Sequence, residues 1–337
     1  MRAAVQHRYG PPSVLESSEV GIPLPGRGDV LVQVGAASVH PGDYFVMTGE
    51  PYVLRLVFGL RRPRPGIPGR DLAGVVAAVG KDVTALRPGE EVFGWSTAGA
   101  LAEYACVPAD NLVLVPANLS VVEAAAVPTS AMTALQALRD IAHVRPGQTV
   151  LVTGASGGVG TFAVQIAKAF GAEVTGVCST RNVDLVRSLG ADHVIDYTTT
   201  DFTATGERYD WILDTDSHQS IIKVRRALKD EGVYVTPGGT TWPILGALIL
   251  GPLLSLIGGK YSGLLLWWKP FNPPDVARLG AMVVDGRVRP AIDRRFTLDQ
   301  VVEALKWVDD GRAKGKVLLS FDEPAEPAED AADTATA

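Results

Sequence analysis

The sequence predicts an α/β protein that combines a doubly wound parallel sheet with a smaller β-barrel domain. Residues 149–162 have the pattern of a strand, a glycine turn and a helix, and apolar strands alternate with helices after them. Alternation at this spacing is typical of a parallel sheet with helices on both faces. Residues 1–125 differ, because their short apolar runs are separated by Gly and Pro at close intervals, which is typical of a small antiparallel barrel.

Each element is predicted from a local pattern of this kind. The strands predicted in the first part are Val30–Val34, Leu72–Val79, Glu91–Phe93, Glu103–Val107 and Leu112–Val115. An Ala-rich helix, Glu123–Asp140, and a turn at 145–147 then lead to the glycine turn. The elements predicted beyond it are the strand Glu173–Cys178, the helix Val183–Leu189, the strands His193–Ile195 and Trp211–Leu213, the helix Ser220–Leu228, the strand Gly232–Val235, the helices Pro274–Asp285 and Gln300–Asp309, and the strand Lys316–Phe321.

The glycine turn predicts a dinucleotide site. Gly154, Gly157 and Gly160 stand between the strand and the helix. Backbone N–H groups at a helix N-terminus bind an anion, and glycines let a diphosphate approach without meeting a Cβ atom. The spacing is Gly-x-x-Gly-x-x-Gly and departs from the standard Gly-x-Gly-x-x-Gly fingerprint. An ordinary glycine-rich turn therefore stays open as the alternative.

The end of the next strand indicates which nucleotide is bound. An NAD-binding chain usually presents Asp or Glu to the ribose 2′-hydroxyl about twenty residues after the turn, and this chain presents Cys-Ser-Thr-Arg-Asn at 178–182. A carboxylate would repel a 2′-phosphate, whereas hydroxyls and a guanidinium bind one. We therefore predict NADPH, with Ser179 and Arg181 on the 2′-phosphate. A solvated polar loop is the alternative.

Composition limits the partners and the compartment. The net charge of -6 and the single short basic run, at 61–64, do not suggest a nucleic-acid partner. Cys106 and Cys178 lie far apart, so they predict neither a disulfide framework nor a structural zinc cluster. The first eight residues lack the apolar core of a signal peptide. A reducing, cytoplasmic location is the simplest expectation.

Two segments depart from the average composition. Residues 243–259 are uncharged and apolar but contain Pro252 and are shorter than the roughly 20 residues that a membrane span needs. A buried cap over the cleft or a subunit interface is the preferred interpretation of residues 243–268, and membrane contact is the alternative. Residues 322–337 consist of Ala, Glu, Asp, Pro and Thr with no large apolar residue, and predict a disordered acidic tail.

Several ordered motifs together resemble one family. They are Ala37–Asp43, Pro68–Val76, Arg87–Val92, Val127–Ala134 and the glycine turn. With these motifs the chain resembles the medium-chain dehydrogenase/reductase superfamily, and within it the zinc-independent quinone oxidoreductase branch that includes zeta-crystallin. The resemblance implies a GroES-like barrel at 1–125, completed by 287–321, and a Rossmann domain at 126–286. It also implies an active site in the cleft between the domains, and a homodimer.

The resemblance also bears on zinc. Zinc-dependent relatives supply a Cys, a His-Glu pair and a later Cys to the catalytic metal. Here the first position is His40, and Arg70 and Asp71 replace the His-Glu pair. A catalytic zinc needs three protein ligands with room for water, and an Arg beside the carboxylate would compete for it. We therefore predict no metal.

The family pattern supplies the remaining candidate residues. For catalysis the candidates are His40, Asp43, Tyr44 and Tyr52, of which His40 could bond a substrate carbonyl or donate a proton, or could be bonded to its own loop. Lys316 could add charge for the phosphate, or could be a solvated surface side chain. The candidate cofactor-binding residues are Thr133, Gly154, Ser156, Gly157, Gly158, Val159, Gly160, Ser179, Arg181, Tyr197, Gly238, Gly239 and Lys316.

These residues predict a reductase that transfers a hydride from NADPH to a small hydrophobic acceptor. Without a metal to polarise a simple ketone, an acceptor that spreads charge by conjugation is easier to reduce, which favours quinones and α,β-unsaturated carbonyls. An enoyl reductase of lipid or polyketide synthesis is one alternative. A non-catalytic protein that senses the nucleotide or binds membranes is the other.

Overall fold

The structure is a computed structural model that describes residues 1–64, 66–216, 219–237, 261–264 and 272–321. Its strands, numbered in chain order, are β1 Arg2–Gln6, β2 Leu15–Glu19, β3 Asp29–Val39, β4 Asp71–Val79, β5 Glu91–Trp95, β6 Tyr104–Pro108, β7 Leu112–Leu114, β8 Thr149–Thr153, β9 Glu173–Cys178, β10 His193–Asp196, β11 Tyr209–Asp214, β12 Leu228–Thr236, β13 Tyr261–Leu264, β14 Ile292–Thr297 and β15 Lys316–Ser320. Its helices are α1 Pro41–Thr48, α2 Arg55–Phe58, α3 Val121–Ala125, α4 Pro128–Gln136, α5 Gly158–Ala169, α6 Val183–Ser188, α7 Ile221–Val224, α8 Pro273–Val284 and α9 Val301–Asp309.

The predicted doubly wound sheet is confirmed. Its strand order is β10-β9-β8-β11-β12-β13, and every neighbouring pair is parallel. The central strand β8 is buried from Val150 to Val152, as expected for a strand covered on both faces. Helix α5 begins directly after the glycine turn, and its Phe162 and Ile166 are fully buried against the sheet. The turn is therefore anchored by a core helix on one side and a core strand on the other.

The barrel sheet is built around the long strand β3. Its order is β14-β15-β3-β4-β5-β7, with β6 also paired to β3. All pairs are antiparallel except β14 with β15. Because β4 and β15 both run opposite to β3, both begin beside the residues where β3 ends. This end of the sheet faces the helices α3 and α4 that precede the glycine turn.

Some element predictions are wrong, each for a local reason. The single helix predicted at Glu123–Asp140 is divided into α3 and α4, because Pro128 begins a new helix, and a π-helical turn Ala137–Ile141 ends it. Helix α1 was not predicted, although Pro41 at its first turn and Asp43 two residues later mark its start. The strand β14 was not among the predicted elements.

Other sequence-based predictions lie outside the described residues. They concern Gly238, Gly239, all of 243–268 except the strand at 261–264, and the tail at 322–337. Among the residues that the structure describes, none of the helices is both long enough and apolar enough to cross a bilayer.

Gly160 tests how tightly the turn is packed. A Cβ atom there would overlap the carbonyl oxygen of Gly154 and lie 2.8 Å from the Cα atom of Ala155. Gly160→Ala is therefore expected to lower the free energy of unfolding by about 3 kcal/mol, as overpacking against a fixed backbone does. Gly21→Ala is the control, because nothing lies within 4 Å of a Cβ atom at Gly21. The free energies of unfolding are measured by urea denaturation. An equally small decrease in both variants would contradict the close packing at Gly160.

Candidate active site

The candidate site lies where three strands of the barrel sheet meet helix α4. Ser38, near the end of β3, is paired in register with Asp71 at the start of β4. Val39 is paired with Val317, so Lys316 begins β15 beside the same end of β3. His40 follows directly and begins α1. The antiparallel register therefore brings together residues that are far apart in sequence.

Asp71 is fully buried, and both oxygens of its carboxylate accept hydrogen bonds. Its Oδ2 accepts a hydrogen bond from Ser38 Oγ at 3.0 Å. Thr129 donates to it through its backbone N–H, at 3.1 Å from Oδ2, and also through its hydroxyl. Thr129 lies in the first turn of α4, which has no side-chain cap of its own. Asp71 of the barrel therefore caps a helix of the nucleotide domain, where a negative charge is favoured.

Lys316 completes this buried network. Its ammonium group lies 3.6 Å from Asp71 Oδ2 and donates to Ser130 Oγ at 3.0 Å, and the side chain is 1% exposed. Burial lowers the pKa of Lys316, and the Asp71 and Asp43 carboxylates oppose that change. The alternative that Lys316 is a solvated surface side chain is wrong. The reason is that β15 starts inside the junction and not at its rim.

The same lysine lies against the glycine turn. A Cβ atom on Gly158 would be 3.4 Å from Lys316 Cδ and 3.3 Å from Ser130 Oγ. Gly157 also forms a single parallel bridge with Gly315. The first residues of α5 are thus bordered by a buried cation, beside backbone N–H groups that have no partner inside the helix. This arrangement suits a diphosphate.

His40 and Asp43 form a second pair at the start of α1. The His40 backbone N–H donates to Asp43 Oδ2 at 3.1 Å, and His40 Nε2 lies 3.5 Å from the same oxygen. Within the part of the chain that the structure describes, His40 Nε2 is buried without a hydrogen-bond partner. Burial raises the pKa of Asp43, and the His40 ring partly offsets the rise. The imidazole is therefore held close to the Asp43 carboxyl group, with Nε2 buried on the side that faces it.

Arg70 precedes Asp71 and lies in the same cleft. Its guanidinium is stacked over the rings of Trp95, at 4.8 Å, and Phe58, at 5.2 Å. Burial lowers the pKa of Arg70, while Asp43 and Asp71 raise it. The stacking orients the planar group and leaves its N–H donors at the edge, free of a carboxylate within salt-bridge distance among the described residues. Together with Arg70, a small cavity of the barrel domain is lined by Gln6, Asp43, Val46, Ile67, Pro68, Gly69, Ser96 and Thr97.

The loop after β9 is tied to the glycine turn through Asn182. Its Nδ2 donates to Ser156 Oγ at 2.9 Å and to Ser179 Oγ at 3.2 Å. Arg181 donates from Nη2 to the carbonyl of Gly311 at 3.2 Å. The loop also faces the carboxylate of Asp196, to which Thr180 donates at 2.6 Å. The structure thus joins Ser156 and Ser179 through Asn182, while the exposed Arg181 side chain of the same loop bonds Gly311.

The remaining candidates are placed as follows. Tyr44 packs on the barrel core, and burial and the Asp309 carboxylate raise the pKa of its hydroxyl. Tyr52 is 68% exposed, and the Arg55 Cζ atom lies 4.6 Å from the centroid of the Tyr52 ring. Thr133 is buried, and its hydroxyl donates to the Thr129 carbonyl at 2.7 Å. Tyr197 is exposed beside the end of β9, where its N–H donates to the Cys178 carbonyl at 3.0 Å.

Sequence reasoning missed several members of the site. Ser38, Thr129, Ser130 and Asn182 were not assigned roles, and Arg70 was considered only as a residue that opposes zinc. The motifs that carry Ser38, Arg70 and Ser130 were visible, but only the strand register joins them. Within the described residues, no group of three or more His, Cys, Asp or Glu side chains is arranged to hold a metal ion.

Fold and site together define a class, a two-domain oxidoreductase with its cleft between a barrel and a nucleotide-binding sheet. Two family models match the chain, an alcohol dehydrogenase GroES-like domain at 26–117 and a zinc-binding dehydrogenase at 189–319. A chloroplastic quinone oxidoreductase of Triphysaria versicolor is 32% identical over 95% of this chain and 98% of its own length. A trans-enoyl reductase of Aspergillus terreus is 35% identical, over 88% of each chain. The solved quinone oxidoreductase of Coxiella burnetii has a TM-score of 0.82 and 29% identity, over 95% of this chain and 99% of that one.

The chain belongs to the medium-chain dehydrogenase/reductase superfamily, in its quinone oxidoreductase branch. It is therefore an oxidoreductase that uses a nicotinamide cofactor, as predicted.

The raised pKa of Asp43 makes a prediction for stability. Folding raises this pKa. At pH values just above the ordinary pKa of Asp, the folded protein therefore binds more protons than the unfolded chain. The stability of the folded protein decreases as the pH rises through this range. Asp43→Asn removes the titration, so its free energy of unfolding relative to wild type should increase from about pH 4 to about pH 7. Denaturant titrations at several pH values measure it.

Asp201→Asn is the control with the opposite sign. Hydrogen bonds from Thr203 lower the pKa of Asp201, so its contribution to stability is lost as pH falls. The free energy of unfolding of Asp201→Asn relative to wild type should therefore change little from about pH 4 to about pH 7 and should increase as the pH falls below about 4. If the free energies of unfolding of the two variants, relative to wild type, had the same pH dependence, the ionisation of Asp43 would not lower the stability of the folded protein.

Proposed function

We propose that this chain is a zinc-independent reductase that transfers a hydride from NADPH to a quinone or an α,β-unsaturated carbonyl compound. The observation that carries the proposal is the buried Asp71 network, which occupies the position that zinc-dependent relatives use for metal ligands. The relatives described as quinone oxidoreductase and trans-enoyl reductase support the acceptor class. Homodimer formation and a cytoplasmic location stay predictions.

The donor set argues against a catalytic zinc. Zinc requires three protein ligands of the Cys, His or carboxylate type with one open position. Asp71 already accepts bonds from Ser38 and Thr129 and faces the Lys316 ammonium group, so its lone pairs are taken. Arg70 beside it carries a positive charge and cannot be a ligand. The zinc-binding dehydrogenase model matches residues 189–319, a range that includes neither Arg70 nor Asp71.

The residues around the glycine turn fit a dinucleotide with an extra phosphate. The N-terminus of α5 and the Lys316 side chain would hold the diphosphate, and Ser179 and Arg181 would hold the 2′-phosphate. Asn182 fixes Ser179 relative to Ser156 and so links the two anion sites. Asp196 lies next to this loop, and the hydrogen bonds from Thr180 and Thr198 lower its pKa and keep its carboxylate charged, so Arg181 would have to outweigh its repulsion of the 2′-phosphate. When bound, the nicotinamide supplies the hydride.

The acceptor end of the cleft must stabilise negative charge. Hydride addition to a quinone or an enone places charge on a carbonyl oxygen, which the stacked guanidinium of Arg70 is able to bind. His40 has one buried nitrogen without a partner among the described residues, and it lies beside Asp43. It would deliver the proton that completes the reduction. Together these two groups supply charge stabilisation without a Lewis-acid metal.

An enoyl reductase that acts on lipid or polyketide intermediates is the second candidate. The identity to the trans-enoyl reductase favours it. Its chemistry is the same hydride addition to a conjugated carbonyl, so the residues above would serve both. Thioester enones added to the acceptor panel separate the two candidates by their kcat/KM values.

Steady-state assays of NADPH oxidation test the acceptor site. The wild type is expected to reduce quinones and enones and to leave unactivated ketones unreduced. Arg70→Gln should lower kcat/KM about 100-fold, as removal of one oxyanion donor does, and should leave NADPH affinity within about twofold. Arg294→Gln, at a guanidinium stacked 3.9 Å over Trp307, is the control for a lost stacking contact. Tight NADPH binding without turnover on any acceptor would favour the non-catalytic alternative.

Calorimetric titration of both nucleotides tests the phosphate site. Arg181→Ala should raise the dissociation constant for NADPH about 10- to 100-fold, because a charge-assisted hydrogen bond contributes roughly 1.5–3 kcal/mol, and should not change that for NADH. Arg187→Ala is the control, since this arginine on α6 is exposed and pairs with Asp184. Equal affinity of the wild type for NADH and NADPH would contradict the assignment.

A further inference from the structure

One face of the barrel domain presents apolar side chains to solvent beside a run of arginines. Leu56 and Val57, on helix α2, are 72% and 77% exposed, and Leu60 is 70% exposed. Arg61, Arg62 and Arg64 follow directly and are exposed as well. We call these six residues the Leu56–Arg64 surface. The mechanism proposed above uses none of them.

The Leu56–Arg64 surface is held firmly by the inward side of the same segment. Arg55 lies between two rings, 4.4 Å from Tyr9 and 4.6 Å from Tyr52, and donates to the Gly49 carbonyl at 3.2 Å. Phe58 packs inward under the guanidinium of Arg70. The backbone N–H of Arg64 donates to the Phe58 carbonyl at 2.7 Å, which fixes the arginines next to α2. The apolar side chains are therefore displayed by a braced turn of the chain.

An exposed apolar patch fixed in this way indicates a binding surface, and its charge indicates the partner. Three arginines without acidic neighbours in sequence from 51 to 70 make the segment locally basic on a chain whose net charge is -6. Apolar side chains flanked by arginines match the boundary between acyl chains and phosphates in an anionic bilayer. A second copy of the chain fits less well, because a two-fold contact centred on this surface would bring the two arginine runs close to each other.

We propose that the Leu56–Arg64 surface binds the anionic surface of a lipid bilayer. Leu56, Val57 and Leu60 enter the headgroup region, and the arginines pair with lipid phosphates. The contact is peripheral and is separate from the apolar run at 243–259. Phe58 lies between this surface and Arg70 of the cleft, so the bound protein would receive hydrophobic acceptors from the membrane. The binding itself does not depend on the proposed reductase activity.

Flotation with lipid vesicles tests the proposal. The full-length protein is mixed with phosphatidylcholine vesicles, with or without phosphatidylglycerol, at about 50 mM and about 500 mM salt. Binding is expected only to the anionic vesicles at low salt. Changing Arg61, Arg62 and Arg64 together to Gln should lower the partition coefficient about 100-fold, since each basic residue near an anionic surface contributes roughly fivefold. Changing Leu56, Val57 and Leu60 together to Ser should abolish the binding to anionic vesicles at low salt.

Matched controls make the result specific to this surface. One changes three arginines elsewhere, Arg187, Arg208 and Arg287, with side-chain exposures of 64%, 58% and 49%, to Gln. The other changes the exposed residues Leu24, Ile222 and Val284 to Ser. Both controls should bind vesicles like the wild type. Absence of vesicle binding, or equal binding by the surface variants and the controls, would overturn the proposal.

Two further measurements separate this proposal from others. Light scattering of the Leu56–Arg64 variants should show the oligomeric state of the wild type, and a change to a smaller species would overturn the proposal in favour of a contact between copies. NADPH oxidation with a short-chain quinone should be unchanged in these variants. Vesicle binding by a protein that lacks turnover would leave the membrane surface standing and would count against the proposed reductase function alone.

Discussion

The site depends on the burial of one carboxylate, that of Asp71. A charge enclosed in this way is tolerated only when it is paired and fully hydrogen-bonded. Its partners come from three places in the chain, Ser38 on β3, Thr129 on α4 and Lys316 on β15. The barrel sheet and the nucleotide domain are thus joined at a point where neither can shift without leaving a buried charge unpaired. The need to keep the Asp71 carboxylate paired therefore determines where the two domains meet and where the cleft lies.

Under the proposed function, the same network also limits the chemistry of the cleft. In zinc-dependent relatives, the acidic residue of a His-Glu pair serves the metal, whereas here it caps α4 and neutralises a lysine. In the proposed mechanism the positive charges are carried by side chains, with Lys316 beside the glycine turn and Arg70 stacked on Trp95 and Phe58. Fixed guanidinium and ammonium groups stabilise charge that develops on an oxygen without reorganising at the moment of reaction. This favours acceptors whose conjugation already spreads that charge.

The fold was predictable where the signal is local. Short stretches of sequence predict the glycine turn, the strand at Glu173–Cys178 and the alternation of strands and helices. The parallel sheet follows from these elements. The site was predictable only in part. The contacts of Asp71 and Lys316 depend on pairing between residues separated by up to 245 positions, which no short pattern contains. Pro128 is a signal for the start of a new helix. The Ala-rich residues on both sides of it nevertheless led to the prediction of one continuous helix.

The measurement that tests this account most directly is the zinc content of the purified protein before and after a chelator wash, taken together with its turnover of NADPH and a quinone. The account predicts far less than one zinc per chain at both stages and the same turnover throughout. Stoichiometric zinc whose removal abolishes turnover, and whose return restores it, would contradict the claim that the Asp71 network replaces the metal.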